Sequence, residues 1–191
     1  NRFFFNSIVS NAANILELIR IKKLNSVILN YDESSDNFLK WYQQLVAESL
    51  GKKGNGVLPI ISSMPKDNHS LMQLYLDGQK SNFYTFFYTQ EKFSQKINSS
   101  SIPDDVGFLK KKSLGNILSS QILATQKVFK KKNIPFRTFM IKNRSEETLG
   151  GLFSFFIIET ILIAKALKIN PYDQPAVELI KKETKKILLN T

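Results

Sequence analysis

The sequence predicts an α/β fold: a parallel β-sheet flanked by helices. Three observations predict it. Four short runs rich in β-branched and aromatic residues, at 26–29, 57–61, 83–88 and 136–141, read as strands. Segments with helical spacing separate them, and strands that alternate with helices favour parallel crossovers. At 191 residues the chain is the size of one domain and buries most of its apolar surface without disulfides or metals.

Each element follows in order. A first helix covers about 3–20, with Ile8, Ala12, Ile15, Leu16 and Ile19 at helical intervals. The strand at 26–29 runs into the polar loop Asn30-Tyr31-Asp32-Glu33. Phe38, Trp41, Tyr42, Leu45 and Ser49 then repeat at three and four, predicting a helix over 35–50. Gly51 is placed to end it in a left-handed turn. After the second strand, Asp67 or Asn68 caps a short helix closed by Gly78, with His69 in its first turn. A polar connector near 99–103 follows the third strand, and Ser113 opens a helix to about 131. After the fourth strand, Ser145 opens a long apolar helix, and Pro175 is well placed as the first residue of the last one. In such sheets ligands sit beyond the carboxyl ends of the strands. That rule directs attention to Asp32, the segment before His69, and the residues after Ile141.

Composition narrows the function. There is no cysteine, which excludes disulfides and thiolate metal sites and fits a reducing compartment. A single histidine and carboxylates without ligand spacing support no metal site. The apolar stretch 149–167 is broken by Glu159 and Lys165 and reads as a buried globular helix, not a membrane span. The net charge is +11, carried mostly by lysine pairs at helix ends, where cations suit the dipole. The four arginines stand well apart, unlike the clustered basic and aromatic face of a nucleic-acid binder. Gly51-Lys52-Lys53-Gly54-Asn55-Gly56 lacks the spacing of a phosphate loop and lies between a helix and a strand, the reverse of the order required. The chain opens at Asn1 without methionine, as a piece of a longer protein would.

Three residues carry candidate acid–base chemistry. Glu48, three after Leu45 and seven after Trp41, falls beside the apolar stripe of its helix. His69 supplies the one imidazole. Lys181 lies four after Val177 and three before Thr184, beside the stripe of the last helix, so it is expected to face inward while Lys182, Lys185 and Lys186 face water.

Their surroundings resemble a known family. Trp41-Tyr42-Gln43-Gln44-Leu45-Val46-Ala47-Glu48-Ser49-Leu50-Gly51-Lys52 resembles the segment of glucose-6-phosphate isomerases that bears the catalytic glutamate. Asp67-Asn68-His69-Ser70-Leu71-Met72-Gln73-Leu74-Tyr75-Leu76-Asp77-Gly78 is similar to the family's histidine segment. Asn170-Pro171-Tyr172-Asp173-Gln174-Pro175-Ala176-Val177-Glu178-Leu179-Ile180-Lys181 resembles its C-terminal signature. The three occur in the family's order.

The resemblance implies a sugar-isomerase (SIS) domain, a Rossmann-like three-layer sandwich. It implies that residues 1–191 are the C-terminal SIS domain and C-terminal helix of a two-SIS-domain enzyme. The first domain, with its Gly-Gly-Arg signature and phosphate-gripping Ser/Thr loop, is not found in this sequence. It implies interconversion of glucose 6-phosphate and fructose 6-phosphate in glycolysis and gluconeogenesis, in the cytoplasm and without a cofactor. Glu48 would be the base that moves a proton between C2 and C1 through a cis-enediol. Lys181 and His69 would assist ring opening, with His69 supplied by the partner subunit of a homodimer. Gln174 would contact substrate. Ala176 stands where the signature usually has glycine, which raises an alternative: a catalytically silent SIS domain that binds sugar phosphate.

Overall fold

The computed structural model describes residues 2–90 and 94–190. Its elements are α1 (Arg2–Arg20), β1 (Asn25–Asn30), α2 (Asp36–Leu50), β2 (Leu58–Ser63), α3 (Met72–Asp77), β3 (Asn82–Thr89), α4 (Leu114–Lys131), β4 (Phe136–Ile141), α5 (Glu146–Ala166) and α6 (Pro175–Asn190), with short 3-10 turns between some of them. The strands form one four-stranded sheet in the order β2-β1-β3-β4, every pair parallel. The α/β class and all four strands match the sequence expectation.

Side chains alternate across the sheet and divide the core in two. Ile28, Phe83 and Phe87 point to one face, where α1, α2 and α5 bring Ile8, Phe38, Tyr42, Phe155 and Phe156. Val27, Leu29, Tyr84 and Phe86 point to the other, against Tyr75 of α3 and Ile122 and Phe129 of α4. Helices on both faces make three layers. Burying each such side chain contributes about 1.5–3 kcal/mol.

Helix α5 has the length and apolar character of a membrane span. Its packing gives another account. Leu152, Phe155, Phe156, Ile163 and Ala164 are buried in the core formed with α1 and α2. On the same helix, buried Glu159 receives Arg137 of β4 in a two-pronged pair at 2.5 and 3.2 Å. Asn11 and Thr85 accept further Arg137 donors, and the guanidinium lies 5.1 Å from the Phe139 ring centre. A buried carboxylate needs this degree of satisfaction.

The direction of each element fixes where the candidate residues lie. β1 and β2 are parallel, so α2 runs from the carboxyl edge of the sheet back to its amino edge. Glu48, near the end of α2, therefore lies at the amino edge. α5 follows β4 and returns the same way, bringing the loop before α6 to that edge too. His69 follows β2, at the carboxyl edge.

Three local expectations are corrected. Gly51 does end α2, but at φ −75° and ψ 64°, not left-handed. The left-handed residues come two and three positions later, at Lys53 and Gly54. Gly51 is constrained by space instead: a Cβ there would stand 2.6 Å from the Ala47 carbonyl oxygen. Neither Asp67 nor Asn68 caps α3, which starts after Leu71 without a side-chain cap. Asp67 accepts hydrogen bonds from Ser62 Oγ, the Ser63 amide and Ser70 Oγ, bracing the loop after β2. His69 is not in the first turn of a helix; it closes the 3-10 turn Lys66–Asn68 and is exposed.

The two sheet edges differ. Leu58 N donates to Leu24 O and Met64 N to Asn30 O, so by alternation the backbone groups of Pro59, Ile61 and Ser63 face outward from β2. Pro59 has no N–H, its carbonyl accepts Gln43 Nε2 at 2.8 Å, and the Ser63 amide is taken by Asp67. These are devices that blunt an edge strand. On β4 the outward positions are 136, 138 and 140, and Thr138 and Met140 are exposed.

Candidate functional site

β1 and β3 are neighbours whose onward connections leave in opposite directions, the arrangement that opens a crevice at the carboxyl ends of a doubly wound sheet. Here that position is filled. Asp32, just past β1, is buried, and its carboxylate accepts from Arg144 Nε and Nη2, Ser35 Oγ at 2.6 Å and Thr89 Oγ1 at 2.8 Å. Asn30 supports the turn, accepting from the Asp32 amide and donating to Asp36. Burial disfavours the charged carboxylate, but the Arg144, Ser35 and Thr89 hydrogen bonds outweigh it and hold the Asp32 carboxyl below its ordinary range. The network ties the segments that follow β1 and β4 to the end of β3.

At the opposite edge lies an open cleft of about 440 Å³. Its walls are the end of α2 with Lys52 and Lys53, Ile169 and Asn170 after α5, and Asp173 to Val177 at the start of α6. Glu48 is half-buried on this cleft. One carboxylate oxygen accepts Gln174 Nε2 at 2.6 Å and the other accepts Gln44 Nε2 at 3.0 Å. Gln44 stands four residues before Glu48, one turn away on the same face of α2. Both donors are neutral amides, so they fix the carboxylate plane while its negative charge stays unneutralised by them.

Lys52 forms part of the wall. Its side chain is only 8% exposed, and its ammonium donates to the Asn170 carbonyl at 2.6 Å and pairs with Asp173 at 3.1 Å. The Lys52 hydrogen bond holds the Asp173 carboxyl below its ordinary range.

The four residues singled out from sequence thus separate. Glu48 and Gln174 meet. Lys181 does not face inward: α6 buries no side chain, and Lys181 is 65% exposed and pairs with Glu178 at 2.6 Å. It does lie four residues after Val177, so it stands one turn beyond the cleft on the face that reaches it. His69 is at the far edge. The six residues of β2 separate that edge from the amino edge, a distance of about 20 Å. Sequence reasoning missed Gln44, Lys52 and Asp173. The i, i+4 spacing of Gln44 and Glu48 was the available signal for the first. Lys52 was indistinguishable from the other helix-end lysines. Among the described residues no group of His, Asp and Glu is arranged to hold a metal ion.

No family model matches the chain. It is 34% identical over 158 residues to the glucose-6-phosphate isomerase of Methanocaldococcus jannaschii, covering 82% of this chain and 39% of that protein. It is 35% identical over 161 residues to the probable glucose-6-phosphate isomerase of Methanococcus maripaludis, covering 84% and 36%. Among solved structures, a hypothetical protein from Thermus thermophilus superposes with a TM-score of 0.82 at 23% identity, covering 93% of this chain and 45% of that one. A glucose-6-phosphate isomerase from Chlamydia trachomatis gives 0.67 at 19%, covering 86% and 34%. These two likenesses establish the fold. The chain spans under two fifths of the length of the two archaeal relatives.

Proposed function

We propose that this chain, a homologue of the glucose-6-phosphate isomerases, supplies the acid–base part of an aldose–ketose isomerase site that interconverts glucose 6-phosphate and fructose 6-phosphate. The observation that carries this reading is the Glu48 carboxylate, oriented by Gln174 and Gln44 on an open cleft. A carboxylate oriented by carboxamides, with no ion pair to it among the described residues, is what a proton shuttle needs.

In this reading Glu48 takes the proton from C2 of the open-chain aldose. The electron pair of that bond forms the C1–C2 double bond of a cis-enediol as the aldehyde oxygen gains a proton. Glu48 then returns its proton to C1 as the C2 hydroxyl loses its own, leaving the ketose. One carbon is oxidised and its neighbour reduced, so no outside redox partner enters. Lys181, one turn along α6 from the cleft, supplies positive charge and a proton donor for ring opening. His69 shares that role from a second protomer, because about 20 Å of strand separates it from Glu48 in its own chain. The active unit is then a homodimer in the cytoplasm, with the phosphate held outside residues 1–191.

The test is a coupled isomerase assay on the native full-length gene product. Glu48→Gln keeps one amide contact as it stands and leaves the other to a carboxamide flip of its partner, and it should lower turnover about 10³-fold with an unchanged melting temperature. Turnover near the wild-type rate overturns the assignment. Ala176, on the cleft wall, favours a second reading in which the domain binds sugar phosphate without turnover. Binding of fructose 6-phosphate by a wild-type protein that shows no turnover would establish it.

A further inference from the structure

We infer that Lys52 is a positioning residue for the Glu48 site: it tethers the loop before α6 to the end of α2 and so sets the register of Gln174 against Glu48. The inference rests on the isomerase reading only for its kinetic consequence.

The argument starts from burial. Long lysine side chains are seldom buried, and an ammonium removed from water needs strong partners. Lys52 keeps 8% of its side-chain surface exposed and has two partners, the Asn170 carbonyl and the Asp173 carboxylate, both in the one loop. Its neighbour Lys53 is exposed, so the position and not the composition explains the burial.

What that loop holds is the second step. Asp173 immediately precedes Gln174, whose amide reaches Glu48 at 2.6 Å. Pro175 then starts α6. No side chain of α6 is buried, so the fold does not fix its starting point by core packing. Ile169 is buried at the near end of the loop; beyond it the polar ties are Lys52 to Asn170 and Asp173, and Gln174 to Glu48. Lys52 and Glu48 are four residues apart across the end of α2, so the two ties have nearly the same footing. Cutting the first leaves Gln174 anchored only through the residue it is meant to orient.

The experiment uses the native full-length gene product and four variants: Lys52→Met, Lys52→Arg, Gln174→Ala and the Lys52→Met/Gln174→Ala pair. Hydrogen–deuterium exchange of the peptide covering 170–176 should rise in Lys52→Met at unchanged melting temperature. Lys52→Arg, which keeps the charge and reach, should restore protection. In the isomerase assay Lys52→Met should lower kcat about tenfold or more with KM little changed, as loss of alignment does. The double variant should be no slower than Gln174→Ala alone. Unchanged exchange in Lys52→Met, or a kinetic loss that adds in full to that of Gln174→Ala, overturns the tether. A wild-type protein without turnover sinks the isomerase reading instead, and the exchange measurement still decides the role of Lys52.

Discussion

Two carboxylates at opposite edges of the sheet, Asp32 and Glu48, are held in contrasting ways. Asp32 is buried and held by a guanidinium and two hydroxyls, which draw its carboxyl below the ordinary range. A carboxylate so stabilised is a poor proton acceptor and a good structural tie. Glu48 is half-buried and held by two carboxamides. Carboxamides orient without supplying a counter-charge. The edge that the general rule for doubly wound sheets marks for ligands is thus the braced one here. The amino edge carries the glutamate segment and the C-terminal signature, and a cleft of about 440 Å³ opens there beside Glu48.

The contrast can be broken at several points. The largest expected effect is on Glu48→Gln, which should cost about 10³-fold in kcat, within the range for losing a general base, while its melting temperature stays at the wild-type value. Asp32→Asn should do the opposite. It should lower stability by about 2 kcal/mol, less than for a fully buried pair because Arg144 is 37% exposed. Its folded fraction should keep its kcat; chemical denaturation and the coupled assay read the two quantities separately. If Asp32→Asn abolishes turnover at full stability, the assignment of the two edges is reversed.

A pH series sharpens the same difference. The Asp32 carboxyl is lowered in the folded state, so the unfolded chain binds the proton more readily. The stability it contributes is present above the unfolded value of about 4 and is lost as pH falls from there through the folded value. Wild-type stability should therefore decline below about pH 4, and Asp32→Asn should show a shallower decline over that window. Parallel curves for the two proteins would remove Asp32 as the acid-sensitive tie. The smallest expected effect is on Gln44→Leu, which leaves Glu48 one of its two amide donors and should lower kcat about tenfold at unchanged stability.

Much of this was legible in the residues. The four strands are short apolar runs bounded by polar turns, and the periodicity that marks them survives folding. Glu48 and Gln174 were named from motifs, and the fold brings them into contact. The misses have physical causes. The amphipathic pattern of α6 predicts an inward Lys181; such a pattern encodes an apolar face but not how far it is covered, and here Ile180, Ile187 and Leu188 stay mostly exposed. Asp67 and Asn68 are good caps and predict a helix at His69; Asp67 instead satisfies Ser62 Oγ and the Ser63 amide at the end of β2, and Ser70 Oγ beyond it. A glycine after a helix suggests positive φ, while the actual constraint on Gly51 is the approach of the Ala47 carbonyl, a distance that residue spacing does not reveal. Nothing in the residue pattern separates Lys52 from the other helix-end lysines; its burial does.

The blunted β2 edge has a consequence for crowding. Strand-by-strand recruitment of further copies needs two receptive flanks, as in a growing fibre. This sheet offers little to bond on one flank, where a proline lacks its donor and side chains have claimed two of the remaining groups. If copies ever joined flank to flank through β4 about a two-fold axis, both outer margins would be the stoppered kind. Such recruitment ends at a pair, and a runaway stack has no place to begin.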